Sequence, residues 1–150
     1  MKSWVHLLAA LPLGGAYYLS QGSAPRAAAA AAASVLVDLD HVPEYLWWRG
    51  RWRGLEDFFE SFHEQRVPRI VIPVHSWELA ALAWGLMLGL GAPAWLHAIV
   101  VGWTYHLAWD QITNSVGVGF YSLANRWRLG FERRLLKPGT AALTGPGRSI

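Results

Sequence analysis

Residues 93–114, PAWLHAIVVGWTYHLAWDQITN, decide the fold. The segment is apolar for most of its length, yet its end carries His106 and Asp110. On a helix, residues four apart share one face, about 40° from each other, with Asn114 next along the same stripe. A histidine and an aspartate aligned on an apolar helix are costly to bury. They are therefore either a structural pair or a site for chemistry.

A chain of 150 residues makes one domain, and its 53% apolar content with ten Trp is rich for a small soluble protein. No cysteine is present, which excludes disulfides, thiolate ligands and cysteine nucleophiles. Any metal is then held by nitrogen and oxygen, from six His and ten carboxylates. The net charge of +3 raises nucleic acid as a partner. No basic helix, finger or aromatic sheet motif supports it, and nucleic acid is set aside.

Four apolar stretches, 4–20, 27–42, 70–91 and 93–113, predict an all-α, membrane-embedded four-helix bundle. None is an uninterrupted apolar run of about eighteen residues, so the distribution of charge has to arbitrate. Of the 13 Lys and Arg, Lys2 precedes the first stretch, five (Arg49, Arg51, Arg53, Arg66, Arg69) lie between the second and third, and six (Arg126, Arg128, Arg133, Arg134, Lys137, Arg148) follow the fourth. Only Arg26 falls in the other two loops. By the positive-inside rule this predicts a multi-pass protein of the inner (cell) membrane with both termini and the middle loop cytoplasmic.

A signal peptide is the rival reading of the first stretch, with Lys2, an apolar run and Gly-Ser-Ala at 22–24. Pro25 after the cleavage point and His6 within the run argue against it. In the middle loop, Leu55, Phe58, Phe59 and Phe62 recur at helical spacing, predicting an interfacial amphipathic helix or lid over 55–65. A second, basic interfacial helix is expected over 121–136, and Trp47, Trp48 and Trp52 form an interfacial belt. The domain is thus 1–137, followed by a disordered tail at 138–150.

Placed on this topology, the ionisable residues of all four helices converge at the cytoplasmic end. His6 opens the first helix. Asp38, Asp40 and His41 close the second, which should stop near Pro43. His75 and Glu78 lie in the first turns of the third, with Pro73 at its start. His106 and Asp110 end the fourth. Asp38 with His41, His75 with Glu78, and His106 with Asp110 each present one face, while Asp40 joins only if the helix unwinds. Helical bundles build metal centres from such spacings. His6, Asp38, Asp40, His41, His75, Glu78, His106 and Asp110 are therefore candidate ligands for one or two divalent ions, Zn, Mn or Fe. Glu78 or Asp110 is the candidate catalytic base. His63 and His97 are expected to stand outside.

The motifs VDLDH at 37–41, HS at 75–76 and HLAWD at 106–110 resemble those of the YdjM-like membrane-bound metal-dependent hydrolases, over about residues 6 to 114. That family carries Pro-Asp-x-Asp-His, then His-Arg-Gly-x-x-His-Ser, then a late His-x-x-x-Asp, with an early histidine matched by His6. The resemblance implies a metal-dependent hydrolase in which Asp38, Asp40 and His41 form the first motif, His75 the second, and His106 with Asp110 the third. Val37 stands in place of the proline, and Ile70 in place of the first histidine of the second motif, where Glu78 one turn later offers a substitute ligand.

The expected function is a membrane-embedded hydrolase whose metal activates water, acting at headgroup level on a lipid or phosphoester. The alternatives are a non-catalytic metal-binding or transport protein and a structural membrane scaffold. Transport requires polar groups continuing across the bilayer, and the fourth helix offers only His97 and Thr104. Membrane lipids are the expected partners, and the oligomeric state is left open.

Overall fold

The structure, a computed structural model, describes residues 3–64, 66–114 and 116–136, with the side chains of 3–6 and 118 excepted. The expected tail at 138–150 lies outside the described residues, as do Lys2 and Lys137. Among the described residues the chain is all-α: α1 (Ser3–Gln21), α2 (Ala24–Leu36), a 3₁₀ turn (Val37–Asp40), α3 (His41–Arg49), α4 (Leu55–His63), α5 (Trp77–Gly89), α6 (Ala94–Thr113), a second 3₁₀ turn (Val118–Tyr121), α7 (Leu123–Arg128) and α8 (Arg133–Leu136). An isolated antiparallel bridge joins Arg69 to Glu132.

The turn from α1 to α2 follows from local chemistry. Gly22 takes φ +62° and donates its amide to the Tyr18 carbonyl, closing α1, and Pro25 opens α2 where a missing N–H costs nothing. The alanine run 27–33 then lies against α6. Ala30 and Ala98 are fully buried in a small core with Leu13, and a Cβ at Gly102 would collide with the Ala30 carbonyl. Small residues are what let α2 and α6 approach so closely. A second core gathers Ile70, Ile72, Ala80, Leu107, Phe120, Tyr121 and Leu136 beneath the segment before α5.

Three boundaries differ from expectation, each for a physical reason. The second helix does not stop at Pro43. It tightens into the 3₁₀ turn at 37–40 and continues as α3, where Pro43 occupies the first turn and its missing N–H has no intrahelical partner to lose. The third helix begins at Trp77 rather than at 70, because the carbonyls of Val71, Ile72 and His75 are taken by the buried Arg126 guanidinium and Ile72 sits at φ +21°. The basic helix expected over 121–136 is instead α7 and α8, parted by a turn in which Gly130 and Phe131 both have positive φ. Its Arg126 is buried rather than interfacial.

At 13 residues, α5 is about 20 Å long, short of a hydrocarbon layer of about 30 Å. Among the described residues no helix is both long and apolar enough to cross a membrane. The helix at 55–63 forms as expected, but its apolar face is divided. Phe58 and Phe62 pack on Tyr45 and on the His41 ring, while Leu55 and Phe59 stay exposed. A strap of Asp57 with the Tyr45 hydroxyl and the Arg49 guanidinium ties α4 to α3. The tie is charge-assisted, and the Tyr45 hydrogen bond holds the Asp57 carboxyl below its ordinary range.

Candidate metal centre

Three pieces of chain meet at one end of the bundle: the 3₁₀ turn at 37–40 with the start of α3, the loop before α5, and the last turns of α6. His106 and Asp110 face inward because α6 presents that stripe to the loop, and both are buried, as is His75. Asp38 is the open member, its side chain about 35% exposed.

The two histidines approach through Nε2, 3.0 Å apart. Asp38 Oδ1 lies 3.4 Å from His75 Nε2 and 3.5 Å from His106 Nε2. Asp110 Oδ2 lies 3.7 Å from His106 Nε2 and 4.0 Å from His75 Nε2. Four donors about 2.0–2.1 Å from a central tetrahedral ion stand about 3.3–3.4 Å from one another. The five separations scatter about that edge length, and His75, His106 and Asp110 form one donor set that could hold an ion, with Asp38 beside both histidines.

The opposite nitrogens explain why the rings point this way. His106 Nδ1 is 2.6 Å from the Ser34 carbonyl, which can only accept, so the proton sits on Nδ1. His75 Nδ1 is 2.9 Å from Asp40 Oδ1, and the carboxylate draws the proton there too. The two Nε2 atoms thus face each other, with the Asp38 and Asp110 carboxylates beside them. A proton shared between the rings relieves one contact. A divalent cation satisfies all four donors, with the Ser34 carbonyl and Asp40 as the groups that orient the ligating rings.

Asp40 reaches the back of His75 from a tightened rather than an unwound turn, and it also lies 3.1 Å from His41 Nδ1. His41 packs edge-on against His75, ring centroids 4.7 Å apart, and with Asp38 and His75 forms a second, more open donor set. Glu78 is not brought to the centre. Its carboxylate accepts from the Ser122 hydroxyl and from the amides of Leu123 and Ala124 at the start of α7. The His6 side chain lies outside the described residues. His97 sits toward the far end of α6 against Trp84, and His63 ends α4.

Sequence reasoning passed over three further participants. The Tyr121 hydroxyl donates to Asp110 Oδ2 at 3.1 Å, accepts from the Asn114 amide at 2.8 Å, and its ring stacks on His75. Burial, then the Asp110 charge, push its phenol well above the ordinary range, which keeps it a donor. Arg126 gives the loop before α5 its shape, while burial lowers its guanidinium from the usual value and the charges of Asp40 and Glu44 partly restore it. The Glu44 carboxylate receives the Val71 amide, and burial raises its pKa. Helical spacing within α2, α5 or α6 does not reveal Tyr121 or Arg126, because they arrive from the 3₁₀ turn and from α7 beyond α6. Compared with family models, curated proteins and solved structures, the chain matches none.

Proposed function

We propose that the chain is a membrane-embedded, metal-dependent hydrolase with its centre at the cytoplasmic end of the bundle, in keeping with its resemblance to the YdjM-like hydrolases. The observation that carries the metal is the meeting of His75 Nε2 and His106 Nε2 at 3.0 Å, with His106 Nδ1 given to the Ser34 carbonyl and His75 Nδ1 2.9 Å from Asp40 Oδ1. His75, His106 and Asp110 are the buried ligands. Asp38 occupies the exposed fourth corner, the place that catalytic sites leave to water or substrate. A divalent ion held there supplies Lewis acidity, polarising an ester or phosphoester oxygen and bringing the pKa of water toward about 7. With His75, His106 and Asp110 as the ligands, the Asp38 carboxylate at the exposed side is the group that would take the proton of an entering water. Tyr121 fixes Asp110, and Glu78, spent on α7, has no part in the chemistry.

Membrane residence is supported by the outer surface of the bundle. Leu19, Leu90 and Ile112 are 85%, 78% and 81% exposed, among many exposed leucines on α1 and α5, and the sole charged residue along the whole of α1, α5 and the exposed stretch of α6 before Asp110 is Glu78. Apolar side chains this exposed, on helices almost without charge, fit a surface that faces lipid. The test is metal stoichiometry by elemental analysis of the purified full chain beside His106→Ala and Asp110→Ala, with helicity followed by circular dichroism. One or two equivalents in the wild type, lost in both folded variants, is the expected result. No metal after reconstitution with Zn, Mn and Fe sinks the proposal and leaves the cluster as structural glue.

A further inference from the structure

Beside the centre runs an apolar groove of about 390 Å³ between α2 and α6. Ala29, Ala33 and Val37 form its floor along α2, Ile99 and Trp103 its wall on α6, and Val74 its end. All its lining residues are apolar. The indole N–H of Trp103 is already donated to the Val74 carbonyl, so it offers an entering molecule no hydrogen bond. From Ala29 to Val37 the groove follows α2 for about 12 Å.

Its position is as telling as its lining. Val37 and Val74 each directly precede a metal-centre residue, Asp38 and His75, so the apolar channel stops where the polar cluster begins. Asp38 is the exposed member of that cluster, and the groove's lining stops one residue short of it and of His75. The alanine run also divides in two. Ala27 and Ala30 are buried against neighbouring helices, whereas Ala29, Ala32 and Ala33 face the groove, where any larger side chain would fill it.

We propose that this groove holds the alkyl chain of an amphiphilic substrate while its phosphate ester head lies at the His75–His106–Asp110 centre, an inference that rests on the hydrolytic reading above. A chain seated there packs against Ala29, Ala32, Ile99 and Trp103 along its length, and crosslinking to the groove rises with chain length until the groove is full.

The probe is a nine-carbon alkyl phosphate with a terminal diazirine, photocrosslinked to the metal-loaded full chain in membranes and mapped by mass spectrometry. The expected result is label concentrated on Ala29, Ala32 and Ile99. It falls at least about fivefold in Ala32→Trp, a change at an exposed position that leaves metal content intact, and it also falls on chelation. Label spread equally over the exposed leucines of α5, or unchanged in Ala32→Trp, overturns the groove as a chain site. Label that stays in the groove after chelation overturns the placement of the head at the centre. Metal content and turnover report separately on the hydrolytic reading, so a failure of either is told from a failure of the groove.

Discussion

Tyr121 shows how much of the centre rests on single atoms outside the ligand set. Its hydroxyl is a hydrogen-bond donor to Asp110 Oδ2 and an acceptor from Asn114, so the carboxylate is aimed at the histidines from behind. Tyr121→Phe removes that donor but keeps the ring on His75. Groups that orient a ligand are worth about 10- to 100-fold in metal affinity, so chelator competition should show a loss of that size with helicity unchanged. An unchanged affinity means that Asp110 is held by packing alone. His75 depends on a different kind of support. Arg126 grips the carbonyls of Val71, Ile72 and His75 with a buried guanidinium. Arg126→Met leaves three acceptors in a buried loop, and denaturant unfolding should register a loss of about 3 kcal/mol or more. The sequence placed both residues in a basic interfacial helix and gave neither a part in the centre. Spacing rules see neighbours on one helix, and Tyr121 and Arg126 come to the site from other segments.

Among the elements, the closeness of α2 and α6 positions the centre, since α2 and the 3₁₀ turn that follows it deliver Ser34 and Asp38 to His106 of α6. Gly102 is where that closeness is greatest. In an isolated helix Gly→Ala gains about 1 kcal/mol. Here the added methyl runs into the backbone of Ala30, which cannot yield as a flexible side chain can, so Gly102→Ala is expected to destabilise by about 1–3 kcal/mol. A stabilised variant in chemical unfolding would show that the two helices part easily. The alanine run was readable as a close-packing helix, and the end of α6 as a polar stripe. The continuation through Pro43 was not, because a proline in the first turn of a new helix and one that ends the old helix look alike in sequence. The late start of α5 was equally hidden, since it depends on an arginine some fifty residues away.

For the whole molecule, orientation is the property that charge distribution predicts and packing does not. Because the chain has no cysteine, single-cysteine variants are read without background. In intact cells a membrane-impermeant maleimide should label Arg26→Cys but reach Arg51→Cys only after permeabilisation. The reverse pattern, or equal labelling of both, removes the proposed topology. The sequence by itself determined that the chain is helical, that nitrogen and oxygen are its sole metal donors, and that Asp38, His75, His106 and Asp110 are available as ligands. Each of these follows from residue type or from the period of a helix, which are local properties. Only the tertiary structure decided which candidates meet. Glu78, placed as well as His75 on paper, is turned away to the start of α7, while Asp40 passes behind His75, and Tyr121, Arg126 and the Ser34 carbonyl join from remote positions. Convergence of that kind depends on how loops close and which surfaces pack, and helical spacing contains no information about either.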